Sequence, residues 1–240
     1  MAQRRELHDK YFKLAKEEGY LARSAYKLKQ IQEKRRIIRA GDRVLDLGCA
    51  PGSWLQVASE LTGGKEGGRG VVLGLDLQEV TERLAPNVRA VQGDAFKTPA
   101  DELMLLANRE ADGVPRPFDA LLSDMAPSTS GGGGGSGDHF KSVELCRRVL
   151  DLAAALLKPG GNLVMKVFEG ESYPDLLRDT SRRFDDTKGY KPDATRGVSK
   201  EMYIVAKGFK GGTGLQTGAS AGGTGVPPVR PDSPSERPRA

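Results

Sequence analysis

The stretch VLDLGCAPGSW, residues 44–54, decides the fold. Its first residues read as a buried β-strand ending at Asp46, Gly48 and Gly52 supply a turn, and a helix is predicted from near Ser53. In a doubly wound sheet ligands bind beyond the carboxyl ends of the strands, where glycine lets the backbone approach them closely. Such a turn suits a nucleotide-like cofactor. Its spacing, D-x-G-x-x-x-G, departs from the G-x-G-x-x-G of dinucleotide sites and so leans away from NAD.

Working outward, short β-branched runs alternate with helical ones: RVLDLG, WLQVASEL, VVLGLD, VRAVQGD, DELMLLANRE and FDALLSD. Strands separated by helical crossovers imply a mostly parallel, doubly wound α/β sheet. The helix VELCRRVLDLAAALL then meets a stop signal in Lys158-Pro159-Gly160-Gly161, and the apolar strand NLVMKVF follows. After a helical YPDLLRDTSRRF, the segments GYKP and MYIVAKGF suggest an antiparallel edge. Upstream, residues 1–40 read mainly as helix, with Ser24 as the cap before AYKLKQIQEKRRII and an apolar stripe (Tyr26, Leu28, Ile31, Ile37, Ile38) for packing on the main domain.

These readings divide the 240 residues into a basic helical extension (1–40), one α/β domain (41–210) and a Gly/Pro-rich tail (211–240). The tail holds seven glycines, five prolines and no aromatic residue, a composition expected to stay disordered. The glycine run Gly131–Gly135 is expected to be a mobile loop beside the substrate. No stretch approaches the ~18 apolar residues of a membrane helix, and the basic start lacks an apolar core, so a cytoplasmic, soluble protein is expected, with monomer as the default. Cys49 and Cys146 lie far apart without metal-ligand spacing, and His8 and His139 are isolated, so neither a disulfide framework nor a metal site is expected. The charge of +5 is local: residues 1–40 carry +7 and the remainder −2. Lysines and arginines interspersed with Tyr11, Phe12, Tyr20 and Tyr26 suit a surface that meets a phosphate backbone, with Lys34, Arg35, Arg36 and Arg39 as candidate phosphate contacts.

Candidate ligand residues stand at the strand ends. Asp76 closes VVLGLD and suits two ribose hydroxyls of an adenosine; Asp94 closes VRAVQGD and suits an adenine amino group; Trp54 offers a flat apolar surface near the cofactor mouth. Lys166 sits within LVMKVF, a costly place for a charge unless it points into a site. Asp124 closes DALLSD, Glu201 precedes MYIVAKG, and Lys27 lies on the basic N-terminal helix. Two lysines with two acids fit the alkylation of a ribose hydroxyl: a very weak acid needs a positioned base, burial and a second cation favour a neutral lysine, and carboxylates orient it.

RSAYKL, DLGCAPGSW, SDMAPSTSG, VMKVFEG and SKEMYIVAKGFK, in that order, resemble the FtsJ/RrmJ family of ribosomal RNA 2′-O-methyltransferases over about residues 20–210. The resemblance implies a Rossmann-like S-adenosylmethionine-dependent methyltransferase with a catalytic tetrad at Lys27, Asp124, Lys166 and Glu201, Lys166 being the proton acceptor. It also implies S-adenosylmethionine contacts at Gly52, Trp54, Asp76, Asp94 and Asp124, and as substrate a uridine in the A-loop of 23S ribosomal RNA within the large subunit. Three departures stand beside it: Ser53 where the family commonly has a second glycine, the longer loop GGKEGGRG, and the glycine run after SDMAPSTS. Three alternatives stay open: a ribose methyltransferase of transfer RNA or a messenger cap, a nicotinamide-dependent oxidoreductase, and a non-catalytic RNA-binding protein.

Overall fold

The computed structural model describes residues 2–63, 70–108, 114–127, 136–195 and 199–211, with side chains from Lys10 onward except that of Ser136. The glycine run 131–135, most of the GGKEGGRG loop and the tail beyond Gly211 lie outside the described residues.

Two helices, α1 (Ala2–Glu17) and α2 (Ala25–Arg35), precede β1 (Arg43–Leu47), α3 (Ser53–Leu61), β2 (Val71–Asp76), β3 (Val88–Gln92), α4 (Ala100–Leu106) and β4 (Phe118–Ser123). Then come α5 (Ser136–Leu156), β5 (Leu157–Phe168), α6 (Tyr173–Arg183), β6 (Phe184–Tyr190) and β7 (Glu201–Phe209). One seven-stranded sheet has the order β3-β2-β1-β4-β5-β7-β6. β1 to β5 pair in parallel, whereas β7 pairs antiparallel with both β5 and β6. The α/β class and the mostly parallel sheet agree with the expectation; the antiparallel strand is β7, one place in from the edge.

Alternation along the buried strands divides the core. Leu45, Leu47, Leu121, Leu163 and Met165 face α4, α5 and α6, while Val44, Leu122, Val164, Tyr203 and Val205 pack with α2 and α3. Leu28 and Ile31 of α2, with Ile37 and Ile38 just after it, are at most 2% exposed and join the second cluster, so these members of the predicted apolar stripe cover that face, whereas Tyr26 packs in a separate small cluster with Ala15 and Ala194.

Three local readings change. Ser24 stands at the N-cap position of α2 with helical backbone angles and makes no side-chain cap bond. That helix stops at Arg35, because Arg36 turns left-handed (φ 50°) and Gln32 takes over the freed backbone, accepting from the N–H groups of Ile37 and Ile38. Lys158–Gly161 does follow the helix end, but inside β5, where the pairing with β4 slips between Phe118 and Ala120.

Candidate functional site

Register alone assembles one corner of the site. Ser123 pairs with Met165, so Asp124 follows beside Lys166; Lys166 pairs with Tyr203, and Phe168 with Glu201. Side chains two apart share a face, which places Lys166, Tyr203 and Glu201 on the side covered by α2. α2 then lays Lys27 across them. Lys27 Nζ donates to Glu201 Oε1 at 2.7 Å, and Lys166 Nζ lies 3.0 Å from Asp124 Oδ1 and donates to the Asp124 carbonyl. Between these pairs stands Tyr203, fully buried, donating its hydroxyl to Asp124 Oδ1 at 2.8 Å and carrying Lys27 Nζ 5.8 Å from its ring centre. Ser199 donates to Glu201 Oε2 at 3.0 Å and so fixes the second carboxylate oxygen.

Electrostatics differ sharply among the acids. Burial pushes the Asp124 carboxyl up, but Lys166, Lys27 and the Tyr203 hydroxyl together hold it below the usual value. The Tyr203 hydroxyl is raised well above its ordinary value, by burial and then by the Asp124 and Glu201 carboxylates. Asp46, with no exposure and neither oxygen partnered among the described residues, is raised well above its ordinary value by burial, then by Asp124 and Asp76.

Beside this corner, beyond the carboxyl ends of β1, β2 and β4, a cavity of about 340 Å³ is lined by Gly48, Asp76, Leu77, Asp94, Phe96 and Asp124 among others. Gly48 has φ +77°, and an added Cβ would come within 2.9 Å of the Met125 backbone, so only glycine fits. Asp76 braces the turn by accepting from the N–H groups of Ala50 (2.9 Å) and Gln78 (2.8 Å). Asp94, two residues beyond its strand, accepts from Phe96 N–H at 2.9 Å. Leu77 and Phe96 are 67% and 47% exposed at the rim, leaving apolar surface for a flat ring. These carboxylate acceptors and apolar surfaces fit an adenosine-bearing cofactor. A larger open depression, about 780 Å³, lies against α5 and the end of α6; Lys97, Arg182 and Arg183 there stand against Asp94, Asp179 and Asp151.

The structure therefore brings Lys27, Asp124, Lys166 and Glu201 together and puts Asp76, Asp94 and Asp124 on the cavity. Gly52 and Trp54 do not line it. The expected flat surface of Trp54 is not open to a ligand: its ring is 2% exposed, packs against Tyr203 at 5.8 Å and donates Nε1–H to the Ser24 carbonyl. Burial of the large indole in the core outweighs exposure at a rim. Arg35, read as a phosphate contact, is paired with Asp186 at 2.7 Å. His139 is also engaged: its Nδ1 sits 2.8 Å from the Phe168 carbonyl and its Nε2 accepts from Ser172 N–H.

Sequence reasoning missed Tyr203, Asp46, Leu77 and Phe96. Strand alternation from Glu201 signals Tyr203, and Asp46 in VLDL carries the same charge-in-an-apolar-run signal that marks Lys166. An apolar residue after a strand end, such as Leu77 or Phe96, carries no comparable signal.

A model of the FtsJ-like methyltransferase family matches residues 20–209. Ribosomal RNA large subunit methyltransferase E of Desulfatibacillum aliphaticivorans is 42% identical over 209 residues, 87% of this chain and 94% of the relative. The protein of the same name from Pseudomonas fluorescens (strain Pf0-1) is 41% identical over 208 residues, 87% and 93% of the two chains. A crystal structure described as a ribosomal RNA methyltransferase from Plasmodium falciparum superposes with a TM-score of 0.68 at 27% identity, covering 80% of this chain and all of that one. On the match of residues 20–209 and these relatives, the chain belongs to the FtsJ-like methyltransferase family.

Proposed function

We propose that this methyltransferase transfers a methyl group from S-adenosylmethionine to a ribose 2′-hydroxyl of large-subunit ribosomal RNA, a uridine in the A-loop of 23S ribosomal RNA, acting as a cytoplasmic monomer on the assembled subunit. The observation that carries this reading is the meeting of two lysine–carboxylate pairs, Lys27–Glu201 and Lys166–Asp124, beside a cavity that Asp124 helps to line and whose lining suits an adenosine. The names of the relatives supply the RNA.

When bound, S-adenosylmethionine would supply an electrophilic methyl group. Asp76 would hold its ribose, Asp94 its adenine edge, and Leu77 and Phe96 the faces of the adenine ring. The Lys166 amine accepts the proton of the ribose hydroxyl and must be unprotonated at that moment. Asp124 aims that amine, since it takes a hydrogen bond from Lys166 through its carbonyl and lies 3.0 Å away through its carboxylate. Lys27, itself aimed by Glu201, is the second cation, able to hold the ribose or its phosphate.

The test is transfer of labelled methyl to large ribosomal subunits lacking the modification, by the wild type and by Lys166→Ala, with the labelled nucleotide mapped. Label on a ribose 2′-oxygen, lost in the variant despite normal cofactor affinity, supports the reading. Transfer only to transfer RNA or to a capped message keeps the chemistry and overturns the substrate. Retention of full biological function by Lys166→Ala favours a non-catalytic RNA-binding protein, and calorimetric binding of a nicotinamide cofactor in place of S-adenosylmethionine favours an oxidoreductase.

A further inference from the structure

The Lys27 ammonium is held at its tip by Glu201, but the helix beneath it has a separate anchor. Ser24, one residue before α2, has its hydroxyl 2.7 Å from that of Ser53, the first residue of α3. The Ser24 carbonyl accepts two hydrogen bonds, from Lys27 N–H at 3.0 Å and from Trp54 Nε1–H at 2.8 Å. Ser53 and Trp54 are 3% and 2% exposed and Ser24 is half-buried, so these bonds are partly shielded from water. Ser24 caps nothing, so its hydroxyl is committed to Ser53.

We propose that Ser24 and Ser53, with the Trp54 indole, form a positioning latch that sets Lys27 relative to the start of α3, just past the cofactor turn. The inference rests on the reading of Lys27 as a member of the reacting set. Docking of α2 as a whole has other supports: fully buried Leu28 and Ile31, the Tyr20–Glu60 bond, and Gln56 gripping Leu21 N–H and the Gly19 carbonyl. The Tyr20 and Gln56 bonds grip the chain before α2 and lie further along α3, while Leu28 and Ile31 hold the helix after Lys27. Losing the hydroxyl pair therefore leaves the helix docked and loosens its first turn, where Lys27 sits. Trp54 also packs on Tyr203, the residue that donates to Asp124, so the latch reaches both lysine–carboxylate pairs.

The experiment compares Ser24→Ala, Ser53→Ala, the double variant and Ser24→Thr, each also combined with Lys27→Met, for kcat, KM for RNA, S-adenosylmethionine affinity and Tm. A single half-buried hydrogen bond used for positioning predicts a fall in kcat of about three- to ten-fold for either alanine variant. Cofactor affinity and Tm stay near wild type, the double variant is no worse than the more damaging single, and Ser24→Thr, which keeps the hydroxyl, restores activity. In the Lys27→Met background the serine substitutions cost nothing further. Additive losses in the double variant, equal losses in the Lys27→Met background, or a drop in Tm with unchanged kcat would each overturn the latch. Full kcat in Lys27→Met alone would instead overturn the role given to Lys27.

Discussion

Lys166 and Asp46 are both charged residues set in apolar strands, yet the fold treats them oppositely. Lys166 reaches Asp124, whereas Asp46 has no hydrogen-bond partner among the described residues and its carboxyl is raised well above its ordinary value by burial, Asp124 and Asp76. If Lys166 takes a proton, Lys166→Arg is as damaging as Lys166→Ala, because a guanidinium keeps its proton in water. Both should lose about 10²- to 10⁴-fold in kcat while binding S-adenosylmethionine normally. Near wild-type kcat in the arginine variant would show that only the positive charge matters. Asp46 makes a stability prediction. A carboxyl whose folded pKa exceeds its unfolded one binds more protons when folded, so its contribution falls as pH rises from about 3.9 towards the raised value. Asp46→Asn removes that penalty: its Tm exceeds the wild-type value at pH 7, and the excess shrinks towards pH 4. A pH-independent difference contradicts this account. The depressed Asp124 carboxyl works the other way, adding stability above the ordinary carboxylate range that is lost on acidification. Lys166, Asp124 and Asp76 were legible because a strand end or an apolar run gives a charge only one inexpensive place to point. Leu77, Phe96 and the burial of Trp54 were not, since which side of a turn a ring falls on is set by tertiary packing.

Helix α2 carries two faces with different duties. One is core, and the other presents Lys34, with Arg36 and Arg39 exposed just after it. The alternation of apolar and basic residues made both faces readable, but the end of the helix was not. It depends on Gln32 reaching the backbone of Ile37 and Ile38 and Asp42 accepting from Arg39 N–H, bonds between residues three to six apart that no periodicity encodes. Arg35 likewise has its partner in β6, across 151 residues, so it belongs to the fold more than to a phosphate surface. The cationic-surface reading then narrows to Lys34, Arg36 and Arg39. Neutralising these three to glutamine should weaken RNA binding and flatten the plot of log affinity against log salt by about two to three units, near 0.7–0.9 per lost phosphate contact. Cofactor affinity should not change, and an unaltered salt slope would remove this patch from the RNA surface. Arg35→Gln, in contrast, should lower Tm and leave the slope alone.

Lys27 and Glu201 are 174 residues apart in sequence and 2.7 Å apart in space, so the site exists only when the two ends of the domain close on one sheet. This gives the flanking segments unequal weight, although both look like extensions by composition. Leu28, Ile31, Ile37 and Ile38 are buried against β1, α3 and β7. At about 1.5–3 kcal/mol for each such side chain, removing them takes away roughly 6–12 kcal/mol, comparable with the entire stability of an ordinary domain, about 5–15 kcal/mol. At the other end β7 finishes at Phe209, and Lys210 supplies backbone and side-chain bonds to the end of α6. Among the described residues, every strand pairing of the sheet lies within residues 43–209. A chain of residues 41–240 should therefore lose cooperative thermal unfolding and expose apolar surface, whereas one of residues 1–211 should keep the wild-type Tm and methyl transfer. Calorimetry of both truncations decides it. A cooperative transition in the first would mean that α2 merely decorates the domain, and a lowered Tm in the second would mean that residues 212–240 cover part of it.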